Sequence, residues 1–264
     1  MTHDARPVPF VKASACGNDF LLLDGALAPS DIADFTRRIC DRHEGVGADG
    51  VEWMLPHFSA DLEIRLINAD GSAAEISGNG TRCVAAYVCA QQGKERVSIL
   101  TGAGLKVCNL TGRRNSEYEF EIEMGEATVE PELTLKVSGV EIRGVPVSMG
   151  NPHVVIFVPE FPSDWQARSA RIQQLPQFPS GVNVEWVRPS GMHDVQVRFF
   201  ERGVGETRSS GTGSCASAVA AIATGKAQSS VKVHAPGGTQ TVRMAGPGIY
   251  LRGSAHLVCR GEFF

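Results

Sequence analysis

Two stretches of the chain alternate between apolar and polar residues, as strands with one buried face do. Residues 62–68 have the sequence LEIRLIN, and residues 195–201 have the sequence VQVRFFE. Two other stretches, 83–90 and 216–223, are apolar nearly all round. A helix with that pattern has no face suited to solvent, so it must be buried. The pattern therefore predicts two half-buried strands and two central helices.

Each predicted helix has a recognisable end. The first is expected over about residues 79–92 and stops before Gly93, and the second over about residues 212–224 and stops before Gly225. Glycine just past a helix adopts the left-handed backbone conformation at little cost, which makes it a common stop signal. Elsewhere the chain has short apolar runs separated by Gly, Pro and Asn turns, typical of strands.

The same motifs occur twice in the chain at a constant spacing of 133 residues, which is the difference between positions 150 and 17. The matched pairs are GNDF at 17–20 with GNPH at 150–153, Arg65 with Arg198, Asn68 with Glu201, and SGNG at 77–80 with SGTG at 210–213. Four matches in one order indicate two homologous halves rather than chance.

The repeat predicts both the fold class and the domain organisation. We expect an α+β protein of two pseudo-symmetric domains, each a mostly antiparallel sheet wrapped around a central helix. The N-terminal half would cover residues 1–124 and the C-terminal half residues 125–255. The boundary is expected near the acidic, proline-containing stretch 125–131.

Both central helices are preceded by the sequence Ser-Gly-x-Gly, at Ser77 and at Ser210. Backbone N–H groups at a helix start lack intrahelical partners and carry the positive end of the helix dipole, so they suit a small anion such as a carboxylate. For one motif alone, an ordinary serine N-cap is the better explanation. A pseudo-two-fold relation would bring both starts to one cleft, where the two side chains flank a ligand from opposite faces.

Composition and charge argue against several classes of function. The 264 residues include 25 Lys+Arg and 29 Asp+Glu, a formal net charge of -4, and no basic run, which argues against a nucleic-acid partner. No apolar run reaches the ~20 residues that cross a bilayer, and the start lacks the apolar segment of a signal peptide, so we expect a cytoplasmic protein and no membrane partner. The 7 cysteines have no C-x-x-C spacing and are interpreted as reduced thiols, and no metal site is predicted.

Eight motifs extend along nearly the whole chain. They are GNDF (17–20), CDRHEGVGADG (40–50), NADGS (68–72), SGNGTRC (77–83), MGNPH (149–153), ERGVGET (201–207), SGTGSC (210–215) and APGG (235–238). Together they resemble the diaminopimelate epimerase family. The resemblance implies a two-domain fold in which residues 256–264 complete the first half. It also implies inversion at an amino acid α-carbon without pyridoxal or another cofactor, by two cysteines.

The family resemblance further implies an activity and a set of ligand-binding residues. The activity is conversion of LL- to meso-diaminopimelate in lysine biosynthesis, the partner is this small amino acid, and the assembly that the resemblance suggests is a homodimer. The distal end of the amino acid would be bound by Asn18, Asn68, Asn151, Asn183, Glu201 and Arg202. The reacting carboxylate would lie on the backbone of Gly78, Asn79, Gly211 and Thr212, with His153 nearby. A guanidinium and carboxamides can hold a carboxylate, while a glutamate can hold an ammonium.

The chain differs from the family at the two catalytic positions, because Ser77 and Ser210 stand where the family has its two catalytic cysteines. A thiol at a helix N-terminus can ionise and act as a base, whereas an unassisted serine cannot at neutral pH. Serine takes up a proton only if another base accepts its own, and His153 and Glu201 are the local candidates. The cysteines at 83 and 215 match positions inside the helices and do not replace the missing thiols.

Three interpretations remain open. The first, which we favour, is an amino acid epimerase or racemase whose catalytic positions are Ser77, Ser210, His153 and Glu201 and whose turnover is impaired by the serines. The second is a divergent isomerase or dehydratase of the same fold, which needs a single base. The third is a non-catalytic amino-acid-binding protein.

Overall fold

The computed structural model describes residues 7–137 and 139–264, and they form two compact units. One unit consists of the chain up to Ile122 together with Gly253–Phe264, and the other of Glu123–Arg252. The chain passes from the first unit to the second within strand β8 (Glu117–Gly125) and returns within strand β18 (Gly248–Phe263).

The remaining elements fall into two series with the same order. The first series is β1 (Val8–Ala15), β2 (Asn18–Asp24), α1 (Ile32–Cys40), β3 (Gly50–Leu55), β4 (Leu62–Asn68), β5 (Ala73–Ala74), α2 (Gly78–Gln92), β6 (Arg96–Thr101) and β7 (Gly104–Arg114). The second series, after β9 (Thr128–Val129) and β10 (Leu133–Val137), is β11 (Val140–Ser148), β12 (Pro152–Phe157), α3 (Trp165–Ile172), β13 (Asn183–Gly191), β14 (Asp194–Glu201), β15 (Gly205–Thr207), α4 (Gly211–Ala223), β16 (Val231–Ala235) and β17 (Gly238–Ala245). A short 3₁₀ turn spans Gly25–Leu27.

The two units also pair their strands in the same way. In the first unit β2 and β3 are parallel, β4 and β6 are parallel, and the pairs β1–β2, β3–β4, β4–β5, β6–β7 and β7–β8 are antiparallel. The second unit repeats this pattern ten elements later, with β12–β13 and β14–β16 parallel and the others antiparallel. The predicted fold class, a mostly antiparallel sheet around a helix in each half, is confirmed.

The central helices are buried as their apolar sequences predict. Helix α2 packs against β1, β2 and β6, and helix α4 against β11–β14, β16 and β17. Most side chains of both helices are buried, α4 within a core that includes Phe199, Val219 and Val233. Burial of apolar area at ~25 cal/mol per Å² is what holds these helices, since neither has a polar face.

The helix ends and the alternating strands also agree with the sequence predictions. Helix α2 ends at Gly93, which has φ 67°, and α4 is followed by Gly225 with φ 70°. The two alternating stretches form β4 and β14, in which every buried residue is apolar. No helix within the described residues has the length and apolar character needed to cross a membrane.

The end of β18 is an integral part of the first unit. Its residues from His256 to Phe263 pair antiparallel with β1, where Val8 lies opposite Phe263. The Phe263 ring packs edge-on against Phe35 of α1 at 5.7 Å between ring centroids. The last strand therefore covers the same core that α1 and Trp53 cover.

Candidate active site

Helix α2 begins at Ser77, whose side chain caps the helix. Ser77 has extended backbone angles, φ -120° and ψ 118°, and its Oγ accepts a hydrogen bond from Gly80 N at 3.0 Å. A Cβ on Gly78 would meet nothing within 4 Å, so the backbone of the first turn is open on that side. The first turn thus presents N–H groups at the positive end of a buried helix, as an anion site requires.

Asn79 and Asn18 are brought together beside this helix start. Asn79 Nδ2 donates to Asn18 Oδ1 at 2.7 Å, and Asn18 Nδ2 donates to Asp49 Oδ2 at 3.0 Å. Arg42 binds Asp49 on its other oxygen at 2.7 Å. Because each side-chain amide is held through both its oxygen and its nitrogen, the Asn18 side chain has a fixed orientation.

Arg82, one turn into α2, is buried together with this cluster. Its NH2 donates to Asn79 Oδ1 and lies 3.6 Å from Cys16 Sγ, while its Nε and NH1 have no hydrogen-bond partner among the described residues. A Cβ on Gly253 would lie 3.2 Å from the Arg82 guanidinium carbon, which is a tight contact, so glycine at this position leaves room for the guanidinium. The buried guanidinium therefore orients Asn79 from within the unit.

Asn68 lies at the end of β4, in a tight turn. Its Nδ2 donates to Ser72 Oγ at 3.0 Å, and Gly71 N donates to the Asn68 backbone carbonyl at 2.8 Å. The side chain is half-buried. The turn fixes its position next to Gly50, its partner across the β3–β4 pair.

In the second unit, helix α4 repeats the arrangement of α2. Ser210 has φ -142° and ψ 127°, and its Oγ accepts from Gly213 N at 3.2 Å. Gly211 and Thr212, which form the first turn of the helix, are half-buried. The structure thus gives each unit one serine-capped helix start with the same geometry.

His153 on β12 links a predicted ligand residue to a buried carboxyl. Its Nε2 lies 2.9 Å from Asn151 Oδ1, and its Nδ1 lies 2.8 Å from Glu185 Oε1 on the adjacent strand β13. The side chains of His153 and Glu185 are 0% and 1% exposed. Burial raises the pKa of Glu185, while the charge of His153 and its hydrogen bond oppose that rise. Both ring nitrogens are engaged within the unit, so His153 acts on its surroundings through Asn151.

Asn183 and Arg202 are also brought together. Asn183 Oδ1 accepts from the Arg202 backbone N at 2.9 Å, and Asn183 Nδ2 donates to the Pro152 carbonyl at 3.0 Å. Arg202 is exposed, and its NH1 donates to the Ser180 carbonyl at 3.0 Å. Asn183 therefore ties the loop that carries Arg202 to β12. Glu201, the last residue of β14, is half-buried.

Neither helix contains a thiol at its start. Cys83 and Cys215 are fully buried in the helix interiors, and burial raises the pKa of Cys83 far above its ordinary value. A thiol in that setting stays protonated and does not act as a base. Within the described residues, no group of three or more His, Cys, Asp or Glu side chains is placed to hold a metal ion.

Two buried glutamates were not predicted from the sequence. Glu52 and Glu185 lie in the tripeptide VEW, at 51–53 and 184–186, which is repeated at the same spacing of 133 as the other motifs. Each lies beneath the second glycine of its helix start, because a Cβ on Gly80 or on Gly213 would collide with the Oε1 atom of the glutamate of its own unit. A charged residue inside an otherwise apolar strand was the signal that could have revealed them.

Solved structures share this architecture along nearly the full chain, at low sequence identity. A phenazine biosynthesis protein of the PhzF family from Bacillus anthracis has a TM-score of 0.73 at 17% identity, covering 98% of this chain and 99% of its own. A hydroxyproline epimerase from Agrobacterium vitis has a TM-score of 0.67 at 19% identity, covering 99% and 93%. The chain thus shares its fold with a hydroxyproline epimerase and with a protein of the PhzF family.

Sequence comparison defines the family. The model of the family described as diaminopimelate epimerase matches residues 10–130 and 145–258. The diaminopimelate epimerase of Pelotomaculum thermopropionicum is 36% identical over 96% of this chain and 98% of its own length, and that of Desulfitobacterium hafniense is 34% identical over 95% and 96%. The chain belongs to the diaminopimelate epimerase family, whose members are isomerases.

Proposed function

We propose that the chain binds diaminopimelate or a closely related amino acid and exchanges its α-proton without a cofactor, at a rate limited by its two serines. The observation that carries the proposal is the duplicated helix start, Ser77 in one unit and Ser210 in the other, each capping a buried helix. Removal of an α-proton places negative charge on the adjacent carboxylate. Backbone N–H groups at a helix start are fixed donors for that charge.

The surrounding side chains support binding of an amino acid. The carboxamides of Asn18, Asn79 and Asn151 are held by hydrogen bonds to neighbouring groups, so little side-chain entropy is lost when a ligand binds. Arg202 is exposed and can pair with a carboxylate, and Glu201 can pair with an ammonium. We assign Asn68 and Asn183 to the same set of ligand-binding residues.

The serines limit the rate because a hydroxyl is a much weaker acid than a thiol. Cysteine has an ordinary pKa of ~8.5, and a helix N-terminus lowers it further, so an appreciable fraction is thiolate near neutral pH. A serine hydroxyl in the same place stays protonated unless a neighbour accepts its proton. We assign that assistance to Glu201, because both ring nitrogens of His153 are occupied by Glu185 and Asn151. We place the reaction in lysine biosynthesis in the cytoplasm, with a homodimer as the assembly.

The test is to replace both serines by cysteine and to follow deuterium incorporation at the α-carbon of diaminopimelate in heavy water by NMR. We expect the parent chain to bind the amino acid and to exchange slowly, and Ser77→Cys with Ser210→Cys to accelerate exchange by about 10²-fold or more. The two single variants are the matched controls, since inversion needs a group on each face of the carbon.

Two outcomes would contradict this proposal. Rapid exchange by the parent chain would show that the serines do not limit the rate. Tight binding without any exchange by the double cysteine variant would remove the epimerase assignment. The absence of thiols from both helix starts favours one second candidate, a non-catalytic amino-acid-binding protein, which would return its ligand unchanged even after prolonged incubation.

A further inference from the structure

Glu185 lies in the core of the second unit and ends a line of hydrogen bonds that begins at a predicted ligand residue. Strand β13, which carries it, is parallel to β12, and Asn183 of β13 pairs with His153 of β12. Glu185 Oε1 is 2.8 Å from His153 Nδ1, and His153 Nε2 is 2.9 Å from Asn151 Oδ1. The line therefore runs from a buried carboxyl through an imidazole to a carboxamide.

The chemistry of the three groups determines where the protons lie. The amide oxygen of Asn151 can only accept, so His153 Nε2 must carry a proton and donate it. The contact between His153 Nδ1 and Glu185 Oε1 needs a second proton between them. The imidazole is thus fixed at both nitrogens, and the Asn151 oxygen is occupied by a donor. The amide nitrogen of Asn151, with its two N–H groups, is left to bind an external acceptor.

We infer that Glu185 is a positioning residue that acts through His153 to hold Asn151 as a hydrogen-bond donor toward a ligand carboxylate. The inference rests on the proposed function in one respect, namely that Asn151 binds the amino acid. Without the carboxyl, the ring can turn or carry its proton on the other nitrogen, and Asn151 can then present its oxygen. A carboxamide oxygen facing a carboxylate repels it.

The first unit contains a matched control for this arrangement. Glu52 occupies the equivalent position of β3, is fully buried, and has no hydrogen-bond partner for either oxygen among the described residues. Phe20 stands where the second unit has His153, because positions 20 and 153 differ by the repeat spacing of 133. Glu52→Gln therefore removes a buried carboxyl from the equivalent strand without breaking a hydrogen bond to an imidazole.

The experiment compares Glu185→Gln with Glu52→Gln in the full chain by NMR of the histidine rings, with His153→Gln used to assign the signals of His153. We expect Glu185→Gln to change the nitrogen shifts of the His153 ring and to weaken binding of diaminopimelate about tenfold, the loss of roughly one hydrogen bond. Glu52→Gln is expected to leave both quantities unchanged. If Glu185→Gln does not fold, Glu185→Asp withdraws the carboxyl from Nδ1 and gives the same comparison.

Unchanged ring signals in Glu185→Gln, or an equal change in Glu52→Gln, would overturn the inference. The ring signals are recorded without ligand, so they test the link between Glu185 and His153 even if the parent chain binds no diaminopimelate. In that case the proposed function fails by itself. If the parent binds the amino acid and Glu185→Gln binds it equally well, only the inference fails.

Discussion

Strands β3 and β13 carry the same tripeptide, VEW, in equivalent places, yet their glutamates have different surroundings. Glu185 bonds to His153, whereas Glu52 has no partner for either carboxyl oxygen among the described residues. The difference comes from one residue on the neighbouring strand, His153 in β12 against Phe20 in β2. A duplicated scaffold keeps its buried glutamate in both copies, and the adjacent strand decides what that glutamate can do.

The burial of Glu52 makes the stability of the fold depend on pH. Desolvation by burial raises the pKa of Glu52 from 4.5 to about 8, so the folded chain keeps this carboxyl protonated at neutral pH. An unfolded chain releases that proton near pH 4.5. Between these two values the folded state binds more protons than the unfolded state, and stability therefore decreases as the pH rises.

Among the variants that test this comparison, Glu52→Gln is expected to have the largest effect on stability. As the pH rises from about 5 to 8, the free energy of unfolding of the parent should decrease by up to ~4 kcal/mol because of this one group. In Glu52→Gln this contribution to the pH dependence should be absent. The measurement is the free energy of unfolding in urea at several pH values. Parallel curves for parent and variant would show that Glu52 ionises freely in the folded chain.

Phe20→His would give the first unit the partner that the second unit has. Replacing a buried phenylalanine should cost about 2 kcal/mol at neutral pH, but a histidine beside Glu52 can share its proton and should flatten the decrease of stability between pH 6 and 8. Phe20→Leu, which changes volume without adding a nitrogen, is the control. An identical pH dependence in the two variants would mean that position 20 does not reach Glu52.

The smallest effect is expected at the helix starts, where the two units are most alike. Ser77→Ala and Ser210→Ala each remove one cap, with hydrogen bonds of 3.0 and 3.2 Å to the third helical residue. Each should cost about 1 kcal/mol, visible as a lower midpoint of thermal unfolding. A much larger loss at one serine would show that the two starts are not energetically equivalent.

The sequence was sufficient to predict the parts of the fold that depend on local patterns. The alternation in 62–68 and 195–201 predicted β4 and β14, and the glycines at 93 and 225 marked the ends of α2 and α4. The repeat predicted that both halves have one architecture. The strands and the helix ends were predictable because the alternation of apolar residues and the backbone preference of glycine depend on residues close together in the chain, whereas the repeat was visible as two copies of the same motifs.

The hydrogen-bonding partners of the candidate site could not be predicted in the same way. Glu185 and His153 are 32 positions apart in the chain and meet because β12 and β13 are parallel neighbours, which the pattern of either strand does not specify. Asn183 was predicted as a ligand residue, and the structure shows its amide bonded to the Arg202 and Pro152 backbones. Its role as a ligand residue stays a prediction.

Strand β18 determines the order in which the two units can be finished during synthesis on the ribosome. The second unit, Glu123–Arg252, is continuous in the chain and needs nothing that is translated after it. The first unit contains the segment from Gly253 onward, whose strand lies against β1. Nascent β1 therefore waits with one edge unpaired while more than a hundred later residues are added, and the half that is translated first is completed last.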